Sequence, residues 1–221
     1  MKLFIITACI VSVAFFSCTD SAKKTDTVTT GDTAAAVTKM DETPTTVVAS
    51  TPPDSVTMMK NWMAYMTPGE VHKMMASWNG TWNGDITMWQ TPGAPAQKSK
   101  GTTINKMMLG GRYQVSNHTG NMMGMPFEGM GTLAYDNDKK IFISTWIDNM
   151  GTGLMKMEGP WDETSKTITL TGTGVDPTTG KDMAEKETFK IIDEKTQLME
   201  MYGPGPDGKE FKMMEIKFTR K

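Results

Sequence analysis

Four carboxylates in the second half of the chain, Glu128, Asp148, Glu158 and Glu215, fall in runs with strand character. Two carboxylates converging on one cavity could act as an acid and a base. Strand alternation sends Glu158 and Glu215 outward. Glu128 and Asp148 have two arrangements open to them: facing a cavity together, or hydrogen-bonding a neighbouring turn or Arg112. The two histidines, His72 and His118, have no second ligand at metal-binding spacing and read as surface or structural residues. Met122-Met123-Gly124-Met125, with Met130, Met155 and Met157 nearby, could offer thioethers to a soft ion such as Cu(I) from an exposed loop. The 23 methionines also occur as scattered pairs (Met58-Met59, Met74-Met75, Met107-Met108, Met213-Met214), the pattern of adaptable core filler. No Gly-x-Ser-x-Gly elbow, phosphate-binding glycine loop or His-Glu-x-x-His segment occurs. No catalytic residue, resident metal or cofactor is therefore assigned.

The elements that must position Glu128 and Asp148 are two runs in residues 126–148, PFEGMGTLAYDNDKKIFISTWID. In the first, Phe127, Leu133 and Tyr135 share one side, with Gly129 and Gly131 between them. In the second, Phe142, Trp146 and Asp148 share a side, with Ile141, Ile143 and Ile147 opposite. Asp136, Asn137 and Asp138 supply the reversal, so the stretch predicts a β-hairpin.

Before this core the chain changes character twice. Residues 1–17 carry Lys2 and then an apolar run too short to span a bilayer comfortably, the pattern of a secretory signal peptide. Ser17-Cys18 resembles the lipobox of bacterial lipoproteins, which implies that Cys18 is acylated and anchors the protein to a membrane of the cell envelope. Phe15 departs from the leucine usual there. With Cys9 in the leader and Cys18 acylated, no thiol is left for a disulfide or a nucleophile. Residues 18–57 are the lipidated cysteine and a Thr-rich segment without aromatics, expected to be a disordered tether spanning on the order of 35 Å. Within it Asp20-Ser21-Ala22, Asp26-Thr27-Val28, Asp32-Thr33-Ala34 and Asp54-Ser55-Val56 repeat one pattern. It resembles an O-glycosylation sequence of some gram-negative bacteria and would place sugars on Ser21, Thr27, Thr33 and Ser55; plain low complexity is the alternative. Residues 19–57 hold three basic and six acidic side chains, which leaves 19 of each sign in residues 58–221. A neutral domain without a basic run has no electrostatic reason to bind nucleic acid.

Residues 58–221 form one domain. Two short helices are expected first, meeting at Thr67. Met59, Trp62, Met63 and Met66 recur at helical spacing as an apolar face suited to dock on something larger. Thr67 and Glu70 have the spacing of a capping box, with Pro68 at the first helical position. After Trp78 the period becomes two. About ten strands follow, near 80–90, 98–109, 111–119, 127–135, 140–148, 152–160, 166–174, 183–192, 196–202 and 209–220, separated by short turns. Such a meander avoids open edges by closing into an antiparallel up-and-down barrel, and an open curved sheet is the alternative.

Gly80-Thr81-Trp82 on the first strand, with Arg220 at the end of the last, resembles the calycin arrangement of lipocalins, in which an early Trp closes the barrel floor beneath a basic residue. The chain is more specifically similar to a bacterial family known only as domain of unknown function 1579. The matching pieces are Tyr65 with Thr67-Pro68-Gly69-Glu70 and His72, Gly80-Thr81-Trp82, Leu109-Gly110-Gly111-Arg112-Tyr113, Pro126-Phe127-Glu128-Gly129, Tyr135-Asp136, Trp146-Ile147-Asp148 and Thr219-Arg220-Lys221. This resemblance implies domain extent and no chemistry. The expected protein is thus a mainly β, lipocalin-like barrel that binds a small apolar or amphipathic molecule. Trp82, Tyr113, Glu128, Trp146 and Asp148 would be the ligand-binding residues, aromatics giving contact area and carboxylates orienting a polar group. The alternatives are a structural or interaction module with a filled core, a soft-metal binder, and an enzyme using Glu128 and Asp148.

Overall fold

The computed structural model describes residues 52–221. The leader, Cys18, Ser21, Thr27 and Thr33 lie outside the described residues. Asp54 opens the first helix, α1 (Ser55–Met66): its carboxylate accepts from the Val56 and Thr57 amides at 3.0 and 3.1 Å. The Asp54-Ser55-Val56 match to the glycosylation pattern is therefore also a helix start, since an N-cap carboxylate satisfies amides the first turn leaves free.

The chain breaks at residues 67–69 and resumes as α2 (Glu70–Ser77). The expected capping box is not what forms. The Thr67 hydroxyl turns back to donate to the Met63 carbonyl at 2.6 Å, closing α1. Gly69 is the N-cap of α2, and its N–H donates to His72 Nδ1 at 3.1 Å. His72 is thus a buried structural residue, its pKa lowered by burial and by the Arg112 charge. The break is held from the barrel side. Asn137 Nδ2 donates to the carbonyls of Ala64, Tyr65 and Thr67 at 3.3, 3.1 and 2.8 Å, and Arg112 Nε donates to that of Met66 at 3.0 Å. These are carbonyls a helix C-terminus leaves without partners. The apolar face expected of α1 does not dock on the barrel: no residue of α1 is buried, and Trp62 is 62% exposed. α2 does dock, burying Met75 completely.

The alternating runs form a closed antiparallel barrel of ten strands and one extra piece. In chain order they are β1 (Gly80–Met88), β2 (Gln97–Met108), β3 (Tyr113–Met122), β4 (Met125–Asp136), β5 (Ile141–Asp148), β6 (Met155–Gly159), β7 (Trp161–Asp162), β8 (Thr167–Asp176), β9 (Lys181–Asp193), β10 (Thr196–Pro204) and β11 (Glu210–Arg220). Apart from β6 and β7, each pairs with its sequence neighbour; β1 pairs with β11, and β6 pairs with β8. The two-residue β7 continues the line of β6 beyond Pro160, also against β8. Proline has no N–H for the ladder, which accounts for the interruption. The seam between β6 and β8 needs glycine. A Cβ on Gly159 would overlap the Thr169 carbonyl oxygen, and one on Gly172 would overlap that of Lys156.

The core gathers at the end covered by α2. Met75, Trp78, Phe142, Met157, Ile168 and Leu170 form one buried cluster there, and Trp82, Ile216 and Phe218 form a second beside it. The Arg220 guanidinium sits 4.3 Å from the Trp82 ring centre and donates to the carbonyls of Asn79 and Ser77 at 2.7 and 2.6 Å. The cation–π contact expected from Gly80-Thr81-Trp82 and Arg220 is formed, and it ties the first strand to the last.

Candidate functional site

The barrel interior is not filled. A cavity of about 370 Å³ remains, with walls from nearly every strand and Trp78 and Trp82 among its lining residues. One wall is the hairpin of β4 and β5. Its register pairs Gly129 with Asp148, Gly131 with Trp146, Leu133 with Ser144 and Tyr135 with Phe142, so all eight share the inner face. Gly129 makes room for the indole: a Cβ there would lie 2.5 Å from Trp146 Cζ2. Asp148 then fixes the ring. Its Oδ2 accepts from Trp146 Nε1 at 2.8 Å, and its Oδ1 accepts from the Met150 amide at 2.9 Å. Phe127 lies nearly parallel to Trp146, at 17° and 6.3 Å, and His118 meets the indole edge-on at 4.9 Å. His118 also shares a 2.8 Å hydrogen bond with the Thr103 hydroxyl. Burial pushes its pKa down to about 4, so the imidazole is neutral at neutral pH.

The floor is polar and largely paired. Trp82 Nε1 donates to the Trp78 carbonyl at 2.9 Å, as does Asn105 Nδ2 at 3.3 Å, and Gln114 Nε2 donates to Met75 at 2.7 Å. Two atoms here have no partner among the described residues, Asn105 Oδ1 and Gln197 Nε2. The remaining charged lining residue is Glu187 on β9, set between Leu170 of β8 and Met201 of β10. Burial, and then the Glu185 charge, push its pKa up to about 7. Burial also raises Glu185, whose Oε2 is buried without a partner.

The structure brings three of the five expected ligand residues to this cavity: Trp82, Trp146 and Asp148. Tyr113 and Glu128 are placed elsewhere. Gln114 and Phe127 face inward beside them, so both point out, and both are exposed. With Glu128 and Asp148 on opposite faces, the acid and base pair is not assembled. Glu158 and Glu215 are outside, as alternation predicts. Glu158 pairs with Lys156 at 3.1 Å, and Glu215 pairs with Lys212, which also reaches Glu200 at 2.9 Å. The Met122 to Met125 segment is not a loop but a tight hairpin turn, with Met123 and Gly124 at φ of 51° and 81°.

Sequence reasoning missed Glu187, His118, Asn105 and Gln197. Glu187 carried a signal, since it shares its alternation with Phe189 and Ile191. β3 carried none, because Gln114, Ser116 and His118 make its inner face as polar as its outer one. The methionine pattern also resolves in space: Met122, Met150, Met155, Met157, Met199, Met201 and Met214, scattered in sequence, all line the cavity.

The family described as "Protein of unknown function (DUF1579)" matches residues 67–220. No curated protein matches the chain. Among solved structures, that of Rv2717c from M. tuberculosis is similar at 13% identity with a TM-score of 0.54, over 70% of this chain and 99% of its own. A redesigned β-barrel gives 14% identity and a TM-score of 0.34, over 66% of this chain and 94% of its own. The first likeness is one of fold alone.

Proposed function

For a chain that belongs to the DUF1579 family of proteins of unknown function, we propose the role of a binding barrel that takes a small apolar or amphipathic molecule into its interior. The observation that carries this reading is the cavity of about 370 Å³ with its aromatic, methionine-rich wall. Its volume falls within the roughly 300–1,000 Å³ of small-molecule pockets, and a few placed polar groups interrupt an apolar lining, as such pockets require. Trp82 and Trp146 supply rigid contact area, with Asp148 holding the second ring in place. Methionine side chains adapt their rotamers to the shape of a guest, which suits a site that accepts related molecules. In this reading the protein is exported and held at the cell envelope by a lipid on Cys18, with the residues between Cys18 and α1 as the tether and sugars on Ser21, Thr27 and Thr33.

Native mass spectrometry of protein recovered from its own envelope tests both parts. The expected spectrum shows a covalent lipid mass and, in addition, an organic guest that leaves on collisional activation. Protein that carries no guest and does not take up the neutral reporter N-phenyl-1-naphthylamine would overturn the binding reading. Absence of the lipid mass would overturn the anchor. A second reading, soft-metal binding, is favoured by the seven thioethers facing one space. A retained copper ion in place of an organic guest would support it.

A further inference from the structure

The cavity carries formal charge of one sign only. Asp148 and Glu187 line it, and among the described residues no lysine or arginine does. Asp148 is committed to the Trp146 indole and the Met150 amide. Glu187 enters none of the ion pairs formed by the described residues. The basic residues of its own strand do not reach it: Lys186 binds Glu210 on the outer face, and Lys181 and Lys190 are exposed. Its neighbours across the sheet are Leu170 and Met201, and the carboxylate two residues along its own inner face is Glu185. At the floor, the amides of Asn105 and Gln197, 9% and 2% exposed, each leave one atom unpartnered. A carboxylate set among apolar groups is unfavourable until a proton or an opposite charge joins it.

We propose that the cavity selects an amphipathic molecule bearing a basic nitrogen, whose ammonium group pairs with Glu187, and that it rejects organic anions. This rests on the reading of the barrel as a binding cavity. The ammonium supplies the countercharge the wall lacks, in surroundings where charges attract far more strongly than in water. Its apolar body lies against Trp146 and the methionines. An anionic guest would meet Glu187 and Asp148 with no cation to offset them, because burial keeps His118 neutral. Beside Glu187 lie Glu185 on its own strand, Leu170 from β8 and Met201 from β10, and the other titratable groups on the cavity wall are Asp148 and the neutral His118, so among the described residues no cation competes with the guest. With Glu187 titrating at about 7, protons displace the ammonium as the pH falls below neutrality.

The purified chain, loaded with N-phenyl-1-naphthylamine, is titrated at pH 8 with decylamine, decanol or decanoate. Decylamine is expected to displace the reporter at least tenfold more effectively than decanol, and decanoate not at all. Glu187→Gln and Glu187→Met are expected to erase the advantage of the amine, so that within each variant decylamine and decanol displace the reporter equally well. Decanoate competing as well as decylamine, or the amine preference surviving in both variants, would overturn the proposal and leave the binding barrel standing. Failure of every compound, the reporter included, would overturn both.

Discussion

Glu187 is where a single side chain does most to set the character of the interior, and its protonation should be visible in stability. Its pKa in the folded barrel, about 7, lies above the ordinary value of 4.5. Between those pH values the folded protein keeps a proton that the unfolded chain has released, so stability is full below the lower value and declines as pH rises through the upper one. Glu187→Met removes that decline. The variant should gain up to about 3 kcal/mol over the parent at pH 8 and far less at pH 4, read from urea unfolding at the two pH values. Equal gains at both would show that the carboxylate is not held as described. Trp146 and Asp148 were legible as a same-face pair from their spacing. That Glu128 belongs to the other face was not, because Phe127, Gly129 and Gly131 include two glycines, which give alternation no side chain to read.

At the scale of elements, the helices show where local rules stop. The position of the break at Thr67 was readable, since Thr-Pro-Gly punctuates the chain. Its stereochemistry was not, because the partners of the helix ends come from far along the sequence: Asn137, in the β4–β5 turn, reaches the α1 carbonyls across some 70 residues. Asn137→Ala should release α1 without opening the barrel. Hydrogen exchange in residues 55–66 is expected to speed up markedly, with the strands changing little and the loss of global stability near 1–3 kcal/mol. Unchanged exchange in α1 would show that Arg112 and Thr67 alone hold the junction. The apolar face of α1 had helical periodicity and so read as a docking face, yet the barrel end is already covered by α2 and Trp78. Periodicity tells that a helix has an apolar side, not which surface is available to meet it.

For the molecule as a whole, closure is the event on which both stability and cavity depend, and it turns on the β6–β8 seam. Gly172→Ala places a methyl group against the Lys156 carbonyl, with Met157 Cγ only 2.8 Å away. It should destabilise the protein by about 3 kcal/mol or more and abolish reporter uptake, whereas Gly151→Ala, in the β5–β6 connection where a Cβ meets nothing, should do neither. A Gly172→Ala protein with parental stability and uptake would show that the seam can shift. By itself the sequence determined the number and kind of elements. Alternation marked the strands, Gly, Pro, Asn and Asp marked the turns, and the absence of a central helix after Ser77 left closure as the economical way to pair every edge. The pairing of Trp82 with Arg220 was also within its reach, but through the resemblance to the calycin arrangement; closure of the meander brings the first and last strands together without naming the side chains that meet. Only the tertiary structure decided that the interior stays open, which methionines line it, and that Glu187 stands there without a cation. Each of these depends on strand stagger and on which inner faces confront one another across the barrel, and alternation within one strand carries no information about the strand opposite.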